Sequence, residues 1–237
     1  VNIGMNVVLA VLLSLIISTF IGFLNGIIIA ELRMPALIVT FASQTIFAGY
    51  AYIICGGVPI SRMPESFLKL GQGYVGPIPV PVIVMVVIFA IGTFILNKTY
   101  FGRYFYALGG NEEAALLSGI KIKVVKCLVY SLSGLFAGIA GLVMLARANT
   151  AQPNAGVGYE FDVITCVVLG GVSVNGGSGK MSNVIAGVLI IGVLSNGMVL
   201  MNISSYMQMV IKGIILLLAV GADCIQQMNL QKTKAIA

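Results

Sequence analysis

Few side chains in this sequence of 237 residues are equipped for chemistry, and they lie far apart along it. Glu160 and Asp162 head a short apolar run. Lys212 sits one or two turns inside another, and Asn196, beside Ser195, falls midway along a third. Gln44 and Gln208 complete the polar groups in or beside apolar segments that could line a path or an outer rim. A charge inside a membrane span is functional by default, because leaving it unpaired in hydrocarbon is costly. A lysine near a span's end can instead snorkel to the surface along its aliphatic stem. Lys212 fits both readings, and its nearness to the outer surface favours snorkelling. If it points inward, Glu160 and Asp162 at the same membrane face are its partners. Asn196 fits either a polar path or a hydrogen bond that glues helices.

Several chemistries are excluded by what accompanies these residues. The chain has no histidine, the commonest proton shuttle and zinc ligand. No two carboxylates share a span, so the relay of a proton-coupled carrier is missing. The four cysteines, Cys55, Cys127, Cys166 and Cys224, have no paired spacing and read as small buried hydrophobes. The run Gly176-Gly177-Ser178-Gly179-Lys180 imitates a phosphate-binding loop. That pattern needs glycine where Val174 stands and Ser or Thr where Met181 stands. Its glycines read instead as a tight turn or a close helix approach. No cofactor and no metal are expected.

The elements that must position these groups are membrane spans. The chain is 59% hydrophobic and 8% charged, with a mean hydropathy of +1.08; an ordinary soluble domain is about one quarter charged. The apolar runs are too long for barrel strands. The fold class is therefore all-α, a polytopic transmembrane helical bundle of about seven spans at roughly 20 residues each. They run Val7 to Ala30, Ala36 to Ile54, Pro79 to Leu96, Val124 to Ala146, Val163 to Val174, Val184 to Met201 and Met207 to Val220. Gly22-x-x-x-Gly26 and Gly134-x-x-x-Gly138 offer small-residue faces for close packing. Thr40, Ser43, Gln44 and Thr45 should face protein or a water-filled path. The run from Val163, broken by Gly170 and Gly171, is short for a span. It reads equally as a discontinuous helix or as a tilted crossing.

Residues 1–237 read as one transmembrane domain with two long loops. The first, residues 55–78, is rich in Gly and Pro and is expected to be irregular. The second, residues 97–126, is polar. With the tail Gln226 to Ala237 inside, Arg33, Lys98, Arg103, Lys121, Lys123, Lys126, Lys180, Lys232 and Lys234 fall inside, and only Arg62, Lys69 and Arg147 outside. That bias puts the C-terminus and the polar loop in the cytoplasm and the Gly/Pro loop outside. It also accounts for the net charge of +6 without nucleic acid. The chain opens on Val1 with neither an initiator Met nor a cleavable leader, which suggests a longer natural chain.

Within the polar loop, Gly109 to Ile120 read GGNEEAALLSGI. Asn111 suits an N-cap, and Glu112 and Glu113 meet the positive end of a helix dipole. Ala114 to Leu117 propagate a helix that Gly119 ends. So short a helix is marginal unless something packs against it.

Glu113-Ala114-Ala115-x-x-x-Gly119 is the pattern of permeases of ATP-binding-cassette importers, and from Phe101 to Asp223 the chain resembles the permeases of bacterial ribose-type importers. The matching runs are GRYFYALGGNEEAALLSGI from Gly102, AQPNAGVGYEFD from Ala151, VVLGGVSVNGGSGK from Val167 and ISSYMQMVIKGIILLLAV from Ile203. Such permeases are longer, and the family's first spans have no counterpart here. The resemblance implies a multi-pass subunit of the bacterial inner membrane, itself no enzyme. Its partners would be a cytoplasmic ATPase subunit, an extracytoplasmic sugar-binding protein, a second permease copy and membrane lipid. Asn111, Glu112, Glu113, Ala114, Ala115 and Gly119 would form the coupling helix, with Lys121, Lys123 and Lys126 orienting it or serving as topology anchors. The competing class is a secondary carrier or channel for a small polar solute.

Overall fold

Long apolar runs interrupted by Gly, Pro and charge become helices interrupted at those same residues. The computed structural model describes residues 6–174 and 176–236, with backbone alone for most of the stretch after 225. Val1, Asn175 and Ala237, which belong to the chain's opening, its glycine-rich run and its tail, lie outside the described residues. The elements in order are α1 (Val7–Leu32), α2 (Ala36–Cys55), β1 (Ile60–Ser61), α3 (Glu65–Gln72), β2 (Tyr74–Val75), β3 (Ile78–Pro79) and α4 (Val80–Lys98). Then follow α5 (Tyr100–Gly110), α6 (Glu112–Leu117), α7 (Ile122–Ala148), β4 (Thr150–Ala151), α8 (Tyr159–Leu169), α9 (Met181–Leu200) and α10 (Ser205–Ile236).

Six of these are long and apolar enough to cross a membrane: α1, α2, α4, α7, α9 and the Ser205–Ile225 part of α10. The expected seventh span is α8, which has 11 residues. It is ~16 Å long, about half the hydrocarbon thickness. Gly170 and Gly171 end it, the latter at φ +73°. The chain is organised in two units, Val1–Phe105 with Glu113–Ala155, and Tyr106–Glu112 with Gly156–Ala237.

The first unit is built on α1 and α7, which pack backbone to backbone. A methyl group on Gly22 would lie 2.2 Å from the carbonyl oxygen of Tyr130, and one on Gly134 would lie 2.3 Å from that of Ser18. A methyl group on Gly26 would lie 2.7 Å from the Cys127 Cα, and one on Gly138 would lie 2.1 Å from the Ser18 hydroxyl oxygen. Both small-residue faces therefore meet each other, and the order of the contacts makes the helices antiparallel. Without a hydrophobic drive between helices in lipid, this close approach supplies the packing attraction that associates them.

The Gly/Pro loop is more ordered than its composition suggests. It contains the two-turn helix α3 and the hairpin β2–β3. Gly71 of α3 abuts the backbone at Ala146 and Arg147, and Gln72 Nε2 donates to the Arg147 carbonyl at 3.1 Å. β1 pairs antiparallel with β4, and Asn149, held left-handed at φ 53°, accepts from the Met63 N–H. The loop thus caps the end of α7. The Pro and Gly residues delimit elements here, with Pro64 starting α3 and Gly73 ending it.

The polar groups of α2 find partners nearer than expected. Thr40 and Thr45 hydroxyls donate to their own helix, to the carbonyls of Ala36 and Phe41, so neither needs another helix or a water path. Ser43 does reach across, donating to Asn25 Oδ1 of α1.

Candidate functional site

Two places in the chain gather the polar residues singled out above. The first is the short helix α6. It starts at Glu112, directly after Asn111, and runs through Glu113, Ala114 and Ala115. Gly119 stops it as the sequence implies. The Gly119 N–H donates to the Leu116 carbonyl and the Ile120 N–H to that of Ala115, with Gly119 at φ +82°. This is the paired closure a left-handed glycine permits. Ala115 is buried, whereas Asn111, Glu112, Glu113, Ala114 and Gly119 are exposed. So is Leu117, at 88%. The helix does not stand alone, since α5 precedes it and runs on to Asn111, whose N–H donates to the Ala107 carbonyl.

The second place is the head of α8. A methyl group on Gly187 of α9 would lie 2.0 Å from the Cys166 carbonyl oxygen, and one on Gly170 would lie 2.7 Å from that of Asn183. The two helices therefore run antiparallel in close contact, and α8 covers the first part of α9. At 1.5 Å per residue, Asp162 stands level with a point ~15 Å along α9, close to its middle. The half-helix thus begins at mid-span, after an irregular stretch that includes Gly156 and Gly158, both left-handed. Non-helical backbone at that depth is tolerated where it is buried in protein or lines a water-filled cavity.

The charges at this head are matched. Glu160 turns back to accept from the Gly158 N–H at 3.0 Å, capping the helix start. Asp162 Oδ2 accepts from Lys212 Nζ of α10 at 2.6 Å, with side chains 31% and 26% exposed. Lys212 therefore points inward and does not snorkel. An acidic partner in direct contact outweighs even a nearby surface, because two opposite charges in a weakly screening medium attract strongly. Gln208, one turn earlier on α10, closes its own helix end by donating to the Ile203 carbonyl at 2.8 Å. Asn196 is exposed on α9 and Gln44 exposed on α2, in the other unit. Of the six residues proposed for a path or rim, then, Asp162 and Lys212 touch, Glu160 lies in the same first turn, and Gln208 is one turn from Lys212.

Sequence reasoning missed one contact altogether. A methyl group on Gly109 would lie 2.4 Å from the backbone nitrogen of Gly177, and one on Gly177 would lie 2.5 Å from the Gly110 Cα. Tyr106 Oη donates to the Gly179 carbonyl at 3.1 Å. The loop that imitates a phosphate site instead receives the end of α5. Its signal was visible as glycines on both sides, Gly109-Gly110 and Gly176-Gly177, but nothing in either run names the other. Among the described residues, no cluster of His, Cys, Asp and Glu could hold a metal. Cys166 is buried, Cys55 and Cys127 partly so, while Cys224 is exposed, against its expected burial.

The sequence has counterparts among known proteins. Residues 1–220 match the family described as branched-chain amino acid transport system, permease component. The ribose import permease protein RbsC of Bacillus subtilis (strain 168) is 46% identical over 222 residues, 93% of this chain and 69% of that protein. Its namesake in Escherichia coli (strain K12) is 41% identical over 227 residues, 94% of this chain and 71% of that protein. The L-arabinose transport system permease protein AraH of Escherichia coli (strain K12) is 45% identical over 203 residues, 86% of this chain and 62% of that protein. No solved structure matches the chain.

Proposed function

The chain belongs to this family of transport permeases, and from that premise we propose that it is the transmembrane subunit of an ATP-binding-cassette importer for a monosaccharide, ribose or a similar pentose. The carrying observation is identity of 41–46% to ribose import permeases over more than nine-tenths of the chain. A separate ATPase subunit on the cytoplasmic side drives transport, and an extracytoplasmic binding protein delivers the sugar. Two copies of the permease pair in the inner membrane among lipid, with the C-terminus in the cytoplasm.

In this reading α6 is the coupling helix. Its exposed Glu112, Glu113 and Leu117 meet a groove of the ATPase, while buried Ala115 ties the helix to its own subunit. Asp162, Lys212, Glu160 and Gln208 border the sugar's route at mid-span, and Gln44 and Asn196 face it or the second copy. A half-helix with charge at its head supports this, since discontinuous helices meeting near the membrane midplane are a recurrent form of transport path.

The test is ATP-dependent uptake of ribose and arabinose in vesicles holding the permease with its ATPase and binding protein. Glu113→Lys reverses the charge at the docking face and is expected to lower uptake by about tenfold or more, as like-charge juxtaposition at an interface does, while membrane insertion is kept. Full uptake by that variant would remove α6 from the coupling role. Uptake by the normal complex without ATP would overturn the importer reading itself.

A further inference from the structure

One close backbone contact of the cytoplasmic loop ends at Gly177, and what lies behind Gly177 is the half-helix with the ion pair. Gly109 and Gly177 approach so nearly that neither tolerates a Cβ. The contact is fastened by Tyr106 on the Gly179 carbonyl. The turn that receives it is braced internally. Ser173 N–H donates to the Ser178 carbonyl at 3.2 Å, and Gly179 lies against Val172, leaving 2.7 Å between a Cβ there and Val172 Cγ2. Val174 N–H donates to Asp223 of α10 at 3.2 Å. Immediately before the turn, Gly170 lies on Asn183 and Val184 of α9, and Gly187 lies on Cys166 of α8. Every step from Tyr106 to Asp162 is therefore made by backbone on backbone, by hydrogen bonds or by one helix. The backbone contacts at Gly109, Gly170 and Gly187 have no side-chain rotamers to absorb a displacement, so the elements they join shift together.

Resting on the coupling role proposed for α6, we infer that the Gly109–Gly177 contact is the joint that carries motion from α6 to α8 and so to the Asp162–Lys212 pair. Glu112, the first residue of α6, and the segment Tyr106–Asn111 belong to the same unit as the turn, α8, α9 and α10. A push on α6 is passed back through Asn111 and Gly110 to Gly109, from there to Gly177, and along the braced turn to α8. Tyr106, Gly109 and Gly177 are positioning residues that touch neither ATP nor sugar.

The geometry provides its own control. Gly109 and Gly110 are neighbours at the end of one helix, yet a Cβ on Gly110 meets nothing within 4 Å while one on Gly109 meets the Gly177 backbone. Ribose taken up per ATP hydrolysed is measured for the full complex in vesicles, with co-purification of the ATPase as the assembly check. Gly109→Ala is expected to keep ATP hydrolysis and assembly and to lower ribose per ATP by about tenfold, since a misfit of backbone atoms cannot be relieved by rotation. Gly110→Ala is expected to match the normal complex. Equal ratios for the two variants, whether both normal or both low, would overturn the joint. If Gly109→Ala does not assemble, Tyr106→Phe decides, because it removes one hydrogen bond without added bulk. A fall of about threefold in ribose per ATP supports the joint, and an unchanged ratio overturns it. Failure of the underlying reading looks different: Glu113→Lys would then transport normally whatever Gly109→Ala does.

Discussion

The α1–α7 pair and the α8–α9–α10 group use the same packing device for different ends. Both rely on glycines that let one backbone rest on another, Gly22, Gly26 and Gly134 in the first, Gly170 and Gly187 in the second. In the first, two uninterrupted helices of 26 and 27 residues meet, and the ion pair between them, Lys123–Glu31, lies at their exposed ends. In the second, one partner is a half-helix of 11 residues, and the ion pair sits at mid-span. Full-length helices satisfy all interior backbone groups by themselves. A half-helix exposes its first N–H groups at depth, and those groups need acceptors. Glu160 supplies one of them, accepting from the Gly158 N–H. The first group thus has the build of a scaffold, and the second is the part to which the proposed motion is assigned.

The largest effect expected from this contrast lies in the scaffold. Gly134→Leu places a branched side chain where a single Cβ already falls 2.3 Å from the Ser18 carbonyl oxygen. Neither backbone can yield locally, so the helices must separate along their length. A destabilisation above about 3 kcal/mol follows, beyond ordinary overpacking. Thermal unfolding of the detergent-solubilised protein measures it. Gly141→Ala, on the same helix with nothing within 4 Å, is expected to leave that transition in place. Equal sensitivity at both positions would mean that helix propensity matters there more than the contact with α1.

How much of this contrast the sequence declares depends on the range of the interaction. The two small-residue faces and the end of α6 at Gly119 are local patterns, readable within a few residues. The spans follow from apolar length alone, and so does the shortness of the run after Val163. Partner choice is different. Lys212 and Asp162 are 50 residues apart, and Gly109 and Gly177 are 68 apart. No periodicity within either segment names the other. The loop 55–78 was misjudged for a related reason, because Gly and Pro mark both irregular chain and the ends of short elements. α3 exists because Gly71 fits against the backbone end of α7, a tertiary condition that composition does not record.

The next effect in size belongs to the mid-span pair. Lys212→Met leaves Asp162 charged without its partner. Breaking a fully buried pair costs 3–5 kcal/mol, and with side chains about a quarter to a third exposed the loss should be about 1–3 kcal/mol. Adding Asp162→Asn removes the stranded charge and is expected to return most of that stability. Transport separates two roles for the pair. If it only pins α8 to α10, the double variant will import ribose normally. If the charges belong to the route, uptake stays low although the fold is restored, and that is the outcome expected from their place at the head of a half-helix. Thermal unfolding and vesicle uptake on the same preparations give the answer.

The smallest effect tests why the two ion pairs differ at all. Lys123 Nζ lies 2.6 Å from Glu31 Oε2, the same separation as Lys212 from Asp162. If geometry set the strength, both would contribute alike. The side chains of the first pair, however, are 63% and 52% exposed, so water screens the attraction and solvates either partner when the other is removed. Exposed pairs of this kind contribute roughly 0–1 kcal/mol, and ions at about 1 M shorten the screening length to about 3 Å. Glu31→Gln should therefore shift thermal unfolding little, and whatever shift it gives should vanish at high salt. The Lys212→Met shift should survive the same salt better, because that pair is only about a quarter to a third exposed and part-buried pairs are screened less. A Glu31→Gln shift as large and as salt-resistant as that of Lys212→Met would mean that the α1–α7 end is also a low-dielectric site, and the separation of a neutral scaffold from a charged moving part would fail.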